Sequence, residues 1–417
     1  MSYSNISRMS FDLSQEQAKF LEKVDRVCRQ IRPFEQECYL AEKLNDRVVP
    51  AFSKIGMMGC PISKKYGGLG LDMLTYALAI ERIGMEGSSL RTFFSAHISI
   101  GQMVLQGWAD EEQKKRYLPA TTAGEKVMAF ALTETAAGSD PASMVTTFEE
   151  KGDTYILKGK KHWIGNGTFA DVMTTYAKDK ATGRVSAFIV DRDSPGLATE
   201  EMKHKMGLLT VKNAEVYFDN CEVPKKNLVG AKGSGLSIAY SALIDGRLSV
   251  AAGAVGVMED CLAEAIEYAR SRRQHGGPLA KKQLVQEHIA RMAIDIQSSR
   301  WLTYRAAAAR QKLHDYVEEQ KERDRWLGHL GRGNKEYSRL RSEADRLAAI
   351  AKFHASNCSF ECANRAVQVF GSAGYRKTAR VARHFLDSRA TIIYEGAKEV
   401  LELKIASGVL GDSYAAY

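Results

Sequence analysis

Apolar positions in the first part of the chain recur at three- and four-residue spacing. Phe20, Leu21, Val24, Val27, Cys28 and Ile31 form one such stripe, the pattern of a helix that buries one face. Ser14 followed by Gln17 makes a capping box just ahead of it, because the two side chains can satisfy each other's orphan backbone N–H groups. The run Lys65-Tyr-Gly-Gly-Leu-Gly70 interrupts the periodicity, which resumes over 73–83. That run lacks the Lys-Ser/Thr of a phosphate-cradling loop and reads as a turn. From 128 to 240 the pattern changes to short apolar runs rich in β-branched and aromatic residues. Tyr155-Ile-Leu157 and Ala187-Phe-Ile-Val190 are examples, punctuated by Gly152-Asp153, Pro195-Gly196 and Val223-Pro224. These are strand and turn signals. Helical spacing returns from 241, opening on the small residues of Val250-Ala-Ala-Gly-Ala-Val-Gly256, which let helices approach closely. The order predicts an α+β protein: a helical domain over 1–127, a β-barrel or sandwich domain over 128–240, and a second helical domain over 241–417. The segment 314–345 departs from this texture, being highly charged and carrying Gly328, Gly331 and Gly333. It reads as a solvated helical hairpin, with a docking surface for a partner as the alternative.

Composition narrows the class. A chain of 417 residues suits two or three packed domains. Its apolar share of 45% and charged share of 26% fit a soluble globular protein. No apolar run reaches the ~18 residues that span a bilayer, so no membrane helix is expected. The first residues lack the apolar core of a secretory signal. Cysteines at 28, 38, 60, 221, 261, 358 and 362 form no Cys-x-x-Cys pair. That argues against a disulfide framework or a zinc site and points to a reducing cytoplasm. The net charge of +9 is spread along the chain rather than gathered in an arm, so it singles out neither nucleic acid nor a membrane as partner.

Four segments carry more information. They are Ala131-Leu-Thr-Glu-Thr-Ala-Ala-Gly-Ser-Asp140, Lys161-His-Trp-Ile-Gly-Asn-Gly167, Arg272-Arg-Gln-His-Gly276, and Gln368-Val-Phe-Gly-Ser-Ala-Gly-Tyr375 leading to Ile393-Tyr-Glu-Gly396. In this order and at these separations they resemble the acyl-CoA dehydrogenases over nearly the whole chain. The resemblance implies that family's fold: an N-terminal helical domain, a middle β-barrel domain and a C-terminal four-helix bundle. It also implies FAD as cofactor and Glu395 as the base that takes the α-proton of an acyl thioester, with hydride passing to flavin N5. The chemistry needs both parts. A base must meet the α-carbon, and the β-hydride needs an electron sink that no side chain provides. A glutamate can serve if burial raises its pKa toward neutrality. Some relatives carry the base just before the arginine corresponding to Arg247, where this chain has Gly246, which leaves the role to Glu395.

The same resemblance places Leu132 and Thr133 at the flavin ring, Ser139 at the diphosphate and Trp163 against the isoalloxazine. Arg272 and Gln283 resemble residues that reach the FAD of a neighbouring subunit, and Gln368, Gly371 and Gly374 a loop that closes on it, which implies a homo-oligomer, dimer or tetramer. Tyr394, Gly396 and Arg247 fall on the substrate side. Three positions depart from the family pattern: Gly165 and Ala397 stand where threonines are usual, and His275 where phenylalanine is. Loss of the threonine hydroxyl at position 165 leaves room beside N5 and makes an oxidase an alternative. The run from Gly87 to His97 resembles two subgroups. In glutaryl-CoA dehydrogenases an arginine and a serine matching Arg91 and Ser95 bind a distal carboxylate. In antibiotic pathways a similar run acts on acyl groups that ride on a carrier protein. The expected activity is dehydrogenation of a short acyl thioester, acyl-CoA or acyl-carrier-protein, with an electron-transfer flavoprotein as acceptor. A DNA-binding flavoprotein is the remaining class. That relative has a longer C-terminal region with a basic face, which this chain lacks, so nucleic acid is not an expected partner.

Overall fold

The capping box at Ser14 forms as the sequence implies: Ser14 Oγ accepts from Gln17 N at 3.2 Å and Gln17 Oε1 from Ser14 N at 2.7 Å. It opens α1 (Gln15–Leu40), whose stripe from Phe20 to Ile31 is buried. The protein is described here by a computed structural model covering residues 13–322, 334–411 and 414. After α1 come α2 (Val48–Ser53), α3 (Met73–Glu86) and α4 (Ser88–Phe94). A π-helical segment, Ser95–Gln102, then continues into α5 (Met103–Trp108), and α6 (Glu111–Thr122) closes the first domain.

The middle block holds β1 (Met128–Ala131), β2 (Thr147–Lys151), β3 (Thr154–Ile164), β4 (Val172–Asp179), β5 (Val185–Asp191), β6 (Leu197–Glu201), β7 (Ala214–Pro224) and β8 (Leu228–Val229). They form one sheet in the order β6-β7-β3-β2-β4-β5-β8, with β1 pairing parallel to β4. Its strands curl around a single core that includes Ala129, Phe148, Leu157, Met173, Phe188 and Val216. Burial differs between strands for a simple reason. In β1, β4 and β5 alternate residues face opposite ways, and both faces are covered: Met173 and Phe188 point into the β-domain core, Tyr176 and Ile189 into the core shared with the helices. That is why these strands read as unbroken apolar runs. β3 and β7 are buried mainly on one face and alternate instead.

The third block is α7 (Gly235–Ser271), α8 (Gln283–Glu322), α9 (Lys335–Phe370), α10 (Arg380–Thr391) and α11 (Lys398–Leu410). The boundary drawn at 240 from composition falls inside α7, because the first helical turn is too short a stretch for periodicity to register. α7 is long and apolar enough to cross a membrane, with mean hydropathy 1.3 over its best window, but 89% of that window is buried in the protein. It is the core helix of the bundle. Its small-residue run does what the sequence suggested. A Cβ at Gly256 would lie 1.9 Å from Glu81 O, and one at Gly84 of α3 would lie 2.4 Å from Gly253 O. Backbone meets backbone there, and only glycine permits it. The charged segment at 314–345 is helical at both described flanks, while 323–333 lie outside the described residues.

Candidate active site

Between α10 and α11 the chain turns through Tyr394, Glu395 and Gly396. Glu395 adopts φ +57° and Gly396 φ +97°, a left-handed conformation that is costly for glutamate and persists only where the surroundings enforce it. Two cations from the bundle enforce it here. Arg247 Nε of α7 donates to Glu395 O at 3.2 Å, and Lys352 Nζ of α9 donates to Ile392 O at 3.3 Å and Gly396 O at 2.7 Å. They grip the backbone and leave the carboxylate free: Glu395 Oε2 is buried with no hydrogen-bond partner among the described residues. Facing it is Gly246, where a Cβ would stand 2.4 Å from Oε2 and 2.6 Å from Cδ. Gly246 and the Glu395 carboxylate therefore meet at one spot, which glycine leaves open. Burial pushes the Glu395 carboxyl up to about 7, and Asp245 adds to the rise, against Arg247, Arg91 and Lys352. A carboxyl that titrates near neutrality in a closed site is suited to general-base chemistry.

Arg91 on α4 is 1% exposed. Its Nη2 donates to Tyr394 Oη and its guanidinium carbon lies 5.6 Å from that ring's centroid. Its stem runs along α7 at Gly253, where a Cβ would be 2.5 Å from Arg91 Cγ. No carboxylate forms an ion pair with it among the described residues, unlike Arg247, which pairs with Asp345 at 2.6 Å. One turn on, Ser95 is buried with an unpartnered Oγ. Ser95 opens the π-helical segment, a widened turn that often accompanies functional sites. His97 pins that segment. Met128 N donates to its Nδ1 at 3.1 Å, so Nε2 carries the proton and donates to Thr121 O at 3.1 Å. Burial pulls His97 down to about 4, which keeps it neutral.

The middle domain supplies the opposite wall. Thr133 O accepts from His162 N at 2.8 Å, and Leu132 O from Lys161 Nζ at 3.1 Å, which sets the end of β1 beside the end of β3. Lys161 is itself buried against Glu134 at 2.7 Å. Trp163 sits at φ +60° with its residue 52% exposed. Asn166 is also at φ +60°, and its Nδ2 donates to Phe93 O and Met128 O, tying the strand end to α4. A Cβ at Gly165 would touch only Ala96 Cβ, at 3.6 Å. Since Ala96 follows Ser95, the two walls adjoin. That contact is ordinary, so packing does not demand glycine at 165, and open room remains there.

Other expected residues lie elsewhere. Arg272 caps the end of α7, Gln283 begins α8, Gln368 is in the last turn of α9, and Gly371 ends that helix at φ +59°. All four are exposed, and among the described residues none bonds to the middle domain. Gly374 is buried, with a Cβ there meeting Phe370 at 2.8 Å. Ser139 is exposed on the loop after β1, and Ala397 is the uncapped N-cap residue of α11. The residue that sequence reasoning missed is Lys352. Its signal was available: a lysine inside the apolar run 347–353 on a helix is a buried charge, and buried charges need partners.

Comparison with known proteins agrees with this architecture. Residues 14–125 match the acyl-CoA dehydrogenase N-terminal domain, 129–221 the middle domain, and 233–321 with 335–410 the C-terminal domain. The glutaryl-CoA dehydrogenase of Desulfococcus multivorans is 34% identical over 97% of this chain and 98% of its own length. The butyryl-CoA dehydrogenase structure from Megasphaera elsdenii is 32% identical, with TM-score 0.86 over 97% of this chain and 100% of that one. The prolyl acyl carrier protein oxidase AnaB is 30% identical, with TM-score 0.81 over 96% of this chain and 100% of that one. The chain belongs to the acyl-CoA dehydrogenase family, whose members are oxidoreductases acting on CH–CH bonds with FAD.

Proposed function

We propose that this protein catalyses the FAD-dependent α,β-dehydrogenation of a short acyl thioester, with Glu395 abstracting the α-proton. The observation that carries this reading is the Glu395 carboxylate: buried, unpartnered at Oε2, raised to about 7 and facing a glycine. FAD, when bound, supplies the sink for the β-hydride. The residues present fit such a group. The half-exposed indole of Trp163, the open floor at Gly165, and Leu132 and Thr133 beside them would hold the ring, and Ser139 the diphosphate. Arg272, Gln283, Gln368 and Gly371 are exposed on the bundle and would serve the cofactor of a second copy, which is why we read the protein as a homo-oligomer. Glu395 N–H would hold the thioester oxygen as negative charge develops, on a turn kept rigid by Arg247.

The acyl end is read as short and polar. Ser95 Oγ is buried with no hydrogen-bond partner among the described residues, and a buried polar group left unpaired disfavours a plain alkyl chain. The buried Arg91 one turn away has no carboxylate partner among those residues. Anaerobic titration with butyryl-, isobutyryl- and glutaryl-CoA tests this: bleaching of the flavin by at least one supports the reading, and a preparation without flavin overturns it. A second reading, an oxidase or a dehydrogenase of carrier-bound acyl groups, is favoured by the room at Gly165. Oxygen consumption without added acceptor would establish the oxidase, while turnover that needs an electron-transfer flavoprotein would exclude it. The seven cysteines are free, in keeping with a cytoplasmic location.

A further inference from the structure

Lys352 is fully buried at the centre of α9, and its reach is specific. Nζ lies 3.3 Å from Ile392 O and 2.7 Å from Gly396 O, the carbonyls that bracket the Tyr394–Glu395 turn. A lysine buried in a helical core costs free energy unless its charge is used. Carbonyl oxygens alone are modest compensation, so the nearby negative charge matters. Groups facing this ammonium are Glu395 on the turn, Glu399 on α11, Arg247 on α7 and Arg91 on α4. Those facing the Glu395 carboxyl are Arg247, Arg91, Lys352 and Asp245. Arg247 is neutralised by Asp345 and Asp245 by Arg310. Arg91 carries no such partner among the described residues, but its guanidinium is spent on Tyr394.

We propose that Lys352 is a positioning residue for the base: its ammonium clamps the two carbonyls that hold Glu395 in its left-handed conformation and keeps a positive charge beside the carboxylate. The clamp fixes where the carboxylate points, and the charge keeps it ionised at a lower pH than burial alone would allow. Burial also pulls Lys352 down to about 7, and the nearby Glu395 charge works against that fall. This inference rests on Glu395 being the base.

The test uses holoenzyme carrying Lys352→Gln, which keeps a donor but loses the charge, and Lys352→Arg, which keeps the charge but cannot seat at both carbonyls. Glu395 protonation is followed by infrared carboxyl bands across about pH 5 to about pH 9, with Glu395→Gln as the reference. Flavin reduction is followed with whichever of butyryl-, isobutyryl- and glutaryl-CoA bleaches the wild type fastest. The expected result is a Glu395 midpoint about one pH unit higher in Lys352→Gln, from the loss of one nearby positive charge. Lys352→Arg should leave the midpoint in place and slow flavin reduction by about tenfold or more through a displaced base. An unmoved midpoint in Lys352→Gln overturns the charge role, and wild-type reduction in Lys352→Arg overturns the clamp. The infrared titration needs no substrate and no particular stability beyond retained FAD. If Glu395→Gln still reduces the flavin, the base assignment itself fails. If it is inert while Lys352→Gln titrates like wild type, only the role of Lys352 fails.

Discussion

Two carboxylates of the C-terminal domain are both desolvated by the fold, yet they are held in opposite states. Asp260 of α7 accepts from His384 Nε2 at 2.7 Å, from Arg32 Nη2 at 3.2 Å and from Arg380 Nε. Burial works to raise its pKa, but the bonds from His384 and the charge of Arg380 outweigh that, and the carboxyl stays well below the usual range. Glu395 has as many cations near it, and its carboxyl is raised to about 7. The difference is where the cations bond. Around Asp260 they reach the carboxylate oxygens. Around Glu395 they reach backbone carbonyls and the Tyr394 hydroxyl, so the charge is steered but not satisfied. One arrangement makes a permanent anion that ties α1, α7 and α10 together. The other makes a carboxylate able to accept a proton.

The strongest way to break this contrast is Glu395→Gln. It should retain FAD and lower the rate of flavin reduction on the order of 10³- to 10⁴-fold, as loss of a general base does; stopped-flow bleaching reads it, and near-normal reduction sinks the assignment. Asp260→Ala should act on the other side of the comparison. Leaving Arg32, Arg380 and His384 uncompensated should cost about 3–5 kcal/mol in denaturant unfolding, and a loss under about 1 kcal/mol would show that the network is dispensable.

Gly246→Ala separates stability from function. Its methyl group would press on the carboxylate at 2.4–2.6 Å, so reduction should slow by about 10- to 100-fold. Helix propensity meanwhile favours alanine by up to about 1 kcal/mol, so unfolding midpoints should not fall. A rate like that of the wild type would mean the carboxylate is not where the base acts.

The smallest effect is the pH response. Flavin reduction should rise through about pH 7 as Glu395 ionises and level off above it. Stability from Asp260 responds in the same direction but in a much lower pH window. Its folded pKa is depressed, so its contribution is fully present above the unfolded aspartate value near ~4 and is lost only as pH falls below that. Between pH ~6 and ~8 the rate should therefore change by about tenfold while the contribution of the Asp260 carboxylate itself to unfolding stays flat. Parallel changes would mean that one titration controls both.

Much of this was legible from the chain. The capping box at Ser14, the buried stripe of α1, the strand runs of β3 and β5 and the close approach at Gly253 and Gly256 follow from local spacing and side-chain size. The segment around Glu395 was singled out by its motif, and Gly246 by its place before Arg247. What stayed hidden is long-range. Nothing near 352 in sequence indicates that a lysine on α9 reaches Ile392 and Gly396, and nothing near 91 that an arginine on α4 lies against Gly253 of α7. Asp387 shows the same limit: it accepts from Tyr39, Ser89 and Leu208 N, one carboxylate joining three domains that share no local signal.

The sequence by itself determined the elements, their order and the residue types able to do the chemistry, because periodicity, capping and turn chemistry act over a few residues. Only the tertiary structure decided which carboxylate is left with an unpartnered oxygen and raised toward neutrality. That depends on which atoms the buried cations touch, and those contacts join segments separated by up to about three hundred residues of chain, as Arg91 and Tyr394 are.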